Sequence, residues 1–575
     1  VNGAQVAAQP ASSMPWRRVA AGVLALLFLN GMLSFSTWWP TPGIVPDHRL
    51  APEFVWLWLA LLALVGIFGR LPRAAAALLG AAYTVLVLGR YVDVTTPALF
   101  GREVNLYWDV PQIPRFLWVT AQDHGAWISA AAVAVVALLL WALYRLLRLA
   151  IAVAGREAAP YALRARWAWL ATAAAVALVG ANYAGVRATW PVVSKPVVPT
   201  YWRQAQLLAA AASPERLAAT LPRSAALDAA LSAPRRVALG GLGGRDVYLI
   251  FMESVGAVTY DNPRAAAQLA PARARLAEDI AAGGRQVVSA FLRSPTIGGA
   301  SDLAHMALLS GIDLADPRRH DLLLTTHRPT LLTLFRNHGY RTFGLYPAVA
   351  WQWPERAYYG FDVYLDGPAL DYRGPPLGFW KIPDQFALAR FEQMFPRDVA
   401  EPPRLVLFAT ITCHLPFSPV PPYQPDWQRV LTEAPFDAAE VARALAERPN
   451  WLDMFPDYLR MVEYTYRWLG GFLRQHEPRE TVFVLIGDHQ PAANVSGEGA
   501  PWDVPVHVVT RDAEILARFA AQGFRPGLEP PRAPLGGMHD LTAMLLQGFT
   551  LAPPQQQAAG AALPAAAIAP SAVRP

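Results

Sequence analysis

Four short stretches hold residue types that could do chemistry. Glu253-Ser254 follows the apolar run Val247–Met252. Cys413-His414-Leu-Pro-Phe417 follows Arg404–Thr410, and Gly487-Asp488-His489 follows Thr481–Ile486. The fourth is the turn Gly298-Gly299-Ala300-Ser301, which opens a stretch with Leu303, Met306 and Leu309 at helical spacing and Gly311 at its end. A hydroxyl at or near a helix N-cap lies in the positive field of free backbone N–H groups, where a phosphate or a nucleophile that attacks one can sit. Carboxylates with an imidazole are what a divalent cation requires. Each piece alone has a plainer explanation: Ser301 a cap, Glu253 a helix start, Asp488 a turn residue, His489 a core histidine. Their convergence carries the argument. Thr296, just before the glycine pair, is the alternative nucleophile.

The flanking runs explain how the pieces would meet. Val247–Met252, Thr342–Tyr346, Arg404–Thr410, Thr481–Ile486 and Val504–Thr510 read as strands buried on both faces. Helical stretches alternate with them at Ala265–Ala282, Leu303–Leu309, Thr330–Asn337, Pro383–Met394, Asp457–Gln475 and His539–Gln547. This alternation predicts an α/β domain with a mostly parallel sheet and helices on both faces. Ligands gather at the carboxyl ends of such strands, where Glu253, His414, Asp488 and His489 fall.

The first third has a different texture. The chain of 575 residues is 54% hydrophobic and only 16% charged, with 20 Trp, which points to a membrane protein. The net charge of +6 forms no basic run, so no nucleic-acid partner is expected. Cys413 is the only cysteine, which excludes a disulfide within this chain. Val19–Trp38, Phe54–Phe68, Ala74–Leu88, Ala126–Leu143 and Trp167–Val179 predict five transmembrane helices. With the N-terminus inside, Arg17, Arg18, Arg70, Arg73, Arg145, Arg148, Arg156, Arg164 and Arg166 face the cytoplasm. Only Arg49, Arg90, Arg102 and Arg115 precede the fifth span on the outside, which obeys the positive-inside rule. The loop Tyr91–Asp123 is expected along the outer interface. The predicted division is a leader (1–16), a five-helix membrane domain (17–187), a juxtamembrane connector with a helix near Gln204–Leu217 (188–240), an external α/β domain (241–552) and a disordered Ala/Pro/Gln tail (553–575).

From about Arg245 to Leu551 the chain resembles the alkaline phosphatase superfamily, in the branch of lipoteichoic acid synthases, phosphoglycerol transferases and phosphoethanolamine transferases. The resemblance rests on Glu253-Ser254, the Gly-Gly-Ala-Ser301 turn, His414-Leu-Pro-Phe417, Gly487-Asp488-His489 and the five-span start. It implies one divalent metal (Mn, Zn or Mg) held by Glu253, Ser301, Asp488 and His489, with Ser301 as nucleophile in place of the more usual Thr. It implies His414 as a catalytic and substrate-binding residue, and Trp353 and Arg356 as contacts for a phospholipid head group. The implied enzyme sits in the bacterial inner membrane. It moves phosphoglycerol or phosphoethanolamine from a phospholipid donor to a periplasmic glycan or lipid acceptor. Rivals are a phosphatase or phosphodiesterase, a sulfatase, and an inactive glycan-binding protein. Ser301-Asp-Leu-Ala-His305 lacks the Pro and Arg a sulfatase needs after its modified residue. A transporter is disfavoured because the spans show almost no internal charge. His305 and His539 have no assigned role.

Overall fold

The computed structural model describes residues 16–39, 41–184, 192–213, 221–350, 353–378, 380–398, 400–475 and 480–551. It divides into two units, residues 1–213 and 214–575.

In the first unit all five apolar runs form helices, the first ending at Ser34 before the short strand Ser36–Thr37: α1 (Trp16–Ser34), α2 (Pro52–Phe68), α3 (Arg73–Phe100), α4 (Ala126–Val153) and α5 (Arg166–Tyr183). Among the described residues, three stretches are long and apolar enough to cross a membrane: Trp16–Ser34, Arg73–Phe100 and Ala126–Arg164. Helix α2 has only 17 residues.

Helix α3 runs well past the expected end at Leu88 and takes up Arg90, Tyr91 and Asp93. Arg90 is therefore a buried helix residue rather than part of an outer loop. The sparseness of internal charge needs the same correction, since Glu53, Arg90 and Asp93 are all buried. Each finds partners that make burial tolerable. The Arg90 guanidinium donates to the Phe35 carbonyl from Nε (2.9 Å) and Nη2 (2.7 Å). Glu53 accepts from the Val197 and Val198 amides at 2.6 and 3.0 Å, at the start of α6 (Val198–Ala211). Asp93 accepts from Thr200 Oγ1 at 3.1 Å. The segment 193–200 is thus tied to the helices of this unit by polar groups. The rest of the expected outer loop forms short helices, Leu106–Asp109 and Gln112–His124.

The second unit is built on an eight-stranded sheet: β1 (Asp246–Met252), β2 (Gln286–Arg293), β3 (Arg341–Tyr346), β4 (Val363–Asp366), β5 (Arg404–Ala409), β6 (Thr481–Gly487), β7 (Asp503–Thr510) and β8 (Arg525–Pro526). Their order is β8-β2-β7-β6-β1-β5-β3-β4. Strands β6, β1, β5, β3 and β4 pair in parallel, while β7 runs against both β6 and β2. The expected mostly parallel sheet is present, and β2, β4 and β8 are additions to it.

Alternation along β1 separates two cores. Val247, Leu249 and Phe251 enter one with α8 (Ser301–Ser310), α9 (Leu331–Asn337) and α12 (Asp540–Phe549). Tyr248, Ile250 and Met252 enter the other with α7 (Pro263–Ala282), α10 (Asp384–Met394) and α11 (Phe455–Gln475). Each such side chain withdrawn from water contributes roughly 1.5–3 kcal/mol, which fixes the strands that aim the polar residues beyond their ends. The connector's second half does not stand alone: Leu221 and Leu227 are buried in the first of these cores. The tail after Leu551 lies outside the described residues.

Candidate active site

Strands β1 and β6 are neighbours, and their register sets Met252 beside Gly487. The next residues, Glu253 and Asp488-His489, must therefore emerge side by side. Gly487 is required by space, since a methyl there would stand 1.9 Å from the Val255 carbonyl oxygen. One oxygen from each of Glu253 and Asp488 and a ring nitrogen of His489 lie within 4.8 Å of one another, all three residues buried. His489 Nε2 is 3.4 Å from Glu253 and 3.6 Å from Asp488.

Ser301 completes the group. Its Oγ lies 3.3 Å from Glu253 Oε2 and 3.2 Å from His489 Nε2. Ser301 lies at the start of its helix, as expected, but it is not the cap itself. Ala300 is the N-cap, Ser301 is the first helical residue, and no side chain makes the cap bond. Ala300 holds φ 62° and Ser254 φ 57°, left-handed conformations that cost a residue with a Cβ about 1–3 kcal/mol. Both strained residues adjoin site residues, Ser301 and Glu253. The hydroxyl is aimed by this bend and is left free for Glu253 and His489.

Thr296 is otherwise engaged. It is buried, and its hydroxyl donates to the Gly299 carbonyl at 2.7 Å, holding the turn closed.

Several residues fix these groups. Ser254 donates its hydroxyl to Glu253 Oε1 (2.8 Å) and its amide to Asp488 Oδ1 (2.8 Å). Ser294 donates to the Asp488 carbonyl at 2.6 Å. The Gln490 carbonyl accepts from Gly298 N (2.9 Å) and faces His489 Nδ1 (2.8 Å), which ties the Ser301 turn to the His489 ring. With Nδ1 turned to a carbonyl, Nε2 is the ring nitrogen that faces Glu253, Asp488 and Ser301. Sequence reasoning gave Ser294, Ser254 and Gln490 no such role. Their only signal was adjacency to the strand ends.

Electrostatics fit a cation. Burial and the neighbouring Asp488 charge push the Glu253 carboxyl well above the usual carboxylate range. Two buried carboxylates beside a prepared imidazole nitrogen and a hydroxyl form the donor set of a small divalent ion, and the residues present fit one.

His414 is half-buried after β5, with Nδ1 2.7 Å from the Leu415 carbonyl. Burial lowers its pKa, so the ring is neutral near pH 7. Its loop is set by Asp384, fully buried at the start of α10, which accepts from the amides of Ile411 (2.8 Å) and Thr412 (3.0 Å). His305 lies under the site against Phe251, with ring centroids 4.1 Å apart. Both its ring nitrogens are buried without a hydrogen-bond partner, and burial lowers its pKa to about 4.

Trp353 joins an aromatic cluster with Tyr346 (4.4 Å) and Tyr364 (5.9 Å), and the exposed Arg356 lies over Tyr364 at 4.7 Å. Their described contacts are with this cluster rather than with the Glu253–Ser301–Asp488–His489 group. Trp351 and Gln352 of the same segment lie outside the described residues. His539 is the N-cap of α12 and lines a separate cavity.

A mostly parallel sheet with carboxylates, an imidazole and a helix-borne hydroxyl at its carboxyl edge defines a sulfatase-like domain. Residues 294–508 match the sulfatase family model, in keeping with the motifs' resemblance to the alkaline phosphatase superfamily. No curated protein matches the sequence.

Similar solved structures include the lipoteichoic acid synthase LtaP from Listeria monocytogenes, 13% identical, covering 57% of this chain and 78% of that one, TM-score 0.35. Another is the Streptococcus pyogenes phosphoglycerol transferase GacH in complex with sn-glycerol-1-phosphate, 11% identical, covering 60% and 82%, TM-score 0.35. A third is the periplasmic domain of the phosphoethanolamine transferase EptC from Campylobacter jejuni, 12% identical, covering 53% and 89%, TM-score 0.34. At such scores these likenesses carry no inference about this chain.

Proposed function

We propose that the chain is a membrane-anchored, metal-dependent phosphotransferase. In this reading it moves a phospholipid head group, phosphoglycerol or phosphoethanolamine, through a phospho-Ser301 intermediate to a periplasmic glycan or lipid. The observation that carries it is the Ser301 hydroxyl, which makes no cap bond and lies 3.3 Å from Glu253 and 3.2 Å from His489.

Glu253, Asp488, His489 and Ser301 hold one divalent ion, Mn, Zn or Mg. When bound, it lowers the hydroxyl pKa and neutralises phosphate charge. Ser301 Oγ attacks the head-group phosphorus, the phosphorus–oxygen bond to diacylglycerol breaks, and the leaving alkoxide takes up a proton. His414, neutral near pH 7, takes the Ser301 proton during the attack and returns it to that alkoxide. The acceptor hydroxyl then displaces Ser301 from phosphorus. Trp353 and Arg356 face the donor head group, Arg356 pairing with phosphate. The apolar helices keep the domain beside its lipid donor, with five spans, the N-terminus cytoplasmic and residues 241–552 periplasmic.

The test incubates purified full-length protein with head-group-labelled phosphatidylglycerol or phosphatidylethanolamine, with and without Mn²⁺ or Zn²⁺. Label recovered on the peptide bearing Ser301 is the expected result. Label on Thr296 would move the nucleophile, release to water alone would make the enzyme a phosphodiesterase, and no metal-dependent turnover would favour a binding protein.

A further inference from the structure

The carboxyl edge of the sheet carries a second concavity that the proposed chemistry does not use. It is a cavity of about 650 Å³, within the range of small-molecule sites (roughly 300–1,000 Å³), and Arg293, Asp313, Trp502, Met538 and His539 are among its lining residues. Its position follows from the sheet. Strand β2 is antiparallel to β7, which is antiparallel to β6, so β2 ends on the same edge as β6. Arg293 closes β2 opposite Asp503, the first residue of β7, and Trp502 immediately precedes it. Two strand spacings, about 10 Å, separate this cavity laterally from the strand that delivers Asp488 and His489.

The cavity is built on fixed backbone. The Arg293 amide donates to the Gly536 carbonyl (2.8 Å), the Met538 amide to the Arg293 carbonyl (2.8 Å), and the Ser294 amide to the Trp502 carbonyl (2.9 Å). Ser294 is also the residue whose hydroxyl holds the Asp488 carbonyl, so one residue belongs to both the cavity wall and the active site.

The lining is mixed in a way that selects a ligand. Half-buried Trp502 gives an apolar surface, and Met538 backs it from the core, fully buried. The Arg293 side chain is 68% exposed, and its pairing with Asp503 is long at 3.9 Å. Asp503 has a closer partner in Arg532 at 3.0 Å. Asp313 and His539 add an acceptor and a titratable ring, half-exposed. One cation beside one carboxylate disfavours a strongly anionic ligand, and the polar groups disfavour an acyl chain. An apolar ring face with separate donors and acceptors around it suits a saccharide.

We infer that this cavity binds the saccharide acceptor, whose hydroxyl it presents toward Ser301 along the sheet edge. The inference rests on the transferase reading for the word acceptor, while saccharide binding is testable without it.

The experiment measures binding of maltose, laminaribiose, gentiobiose and lactose to the detergent-solubilised full chain by saturation-transfer NMR and calorimetry. Ser301→Ala is measured in parallel with the unaltered chain, so that failure of the phospho-serine reading leaves the binding result intact. At least one disaccharide is expected to bind both proteins within twofold of each other. Trp502→Ala and Arg293→Ala are expected to weaken it at least tenfold, and Trp502→Phe to restore most of it, with thermal midpoints confirming folding. Absence of binding by all four sugars, or binding indifferent to Trp502 and Arg293, overturns the inference. Displacement of the sugar by millimolar inorganic phosphate at this cavity would do so too, since it would make the cavity an anion site.

Discussion

Replacing Gly487 by Ala tests whether the register of two strands sets the active site. The added methyl would meet the Val255 carbonyl oxygen at 1.9 Å, whereas ordinary contact begins at 3.4 Å. The β1–β6 junction must therefore open by about 1.5 Å, and neither side is a flexible side chain that can turn away. Overpacking of this kind costs about 1–3 kcal/mol, which for a domain of this size lowers the melting temperature by about 2–4 °C per kcal/mol. The larger effect falls on chemistry, because Asp488 is the next residue on one side and Glu253 the neighbour on the other. Misplacing reacting groups by about 1 Å costs on the order of 100-fold in rate. The assay is metal-dependent head-group release by full-length protein, alongside thermal unfolding with and without Mn²⁺. G487A is expected to lose about two orders of magnitude in kcat and most of its stabilisation by metal. A variant melting within 1 °C of the unaltered protein (under about 0.5 kcal/mol) and turning over within about twofold (0.4 kcal/mol) would refute the argument from strand register.

Ser301→Ala should abolish labelled intermediate and cut transfer by at least about 1,000-fold. Thr296→Val, which only opens a turn, should retain the intermediate and lose about 1 kcal/mol of stability. His489→Ala should weaken metal-induced stabilisation by about 10- to 100-fold in apparent affinity, read as thermal shift against Mn²⁺ concentration. Asp384, raised to about 6 by burial, binds a proton in the fold at pH values where the unfolded chain has lost it. Its contribution to stability should therefore fall as pH rises from about 4 to 6, by roughly 3 kcal/mol in all. Asp384→Asn should flatten that window in a pH series of thermal midpoints. His507, lowered to about 3 by burial, acts in the other direction. Its stability contribution is present above pH 6.5 and is lost as pH falls toward 3, and His507→Asn should reduce acid sensitivity in the same series.

The strands that carry chemistry were legible because they are buried on both faces and so are written as unbroken apolar runs. Strand β2 was not, because Ser289 interrupts it. That serine is buried where it pairs with His507 across the sheet, at 2.6 Å from Nδ1. Strand β4 has four residues, too few to show a period. The end of α3 was misjudged for a related reason. Arg90 and Asp93 look like the start of a loop by hydropathy, but their partners lie far along the chain, at Phe35 and Thr200. At the site, residue type and position after a strand revealed Glu253, Asp488 and His489. The backbone bend at Ala300 was hidden, because an alanine gives no sign of a left-handed conformation. That is why the sequence places Ser301 at or near the cap but does not show that it is the residue beyond it.

The polar ties of the first unit also bear on how the chain is made. Glu53 and Arg90 belong to helices synthesised early, yet Glu53 is satisfied by Val197 and Val198, and Arg90 reaches the Lys195 carbonyl at 3.3 Å. Asp93 likewise waits for Thr200. A ribosome must translate more than a hundred residues after Glu53 before its amide partners exist. During that interval the Glu53 and Asp93 carboxylates lack their final partners, a state that water can sustain and hydrocarbon cannot. The packing of α2 and α3 is therefore incomplete until residues 193–200 have been made. The segment that leads into the α/β domain acts as the fastener of these helices.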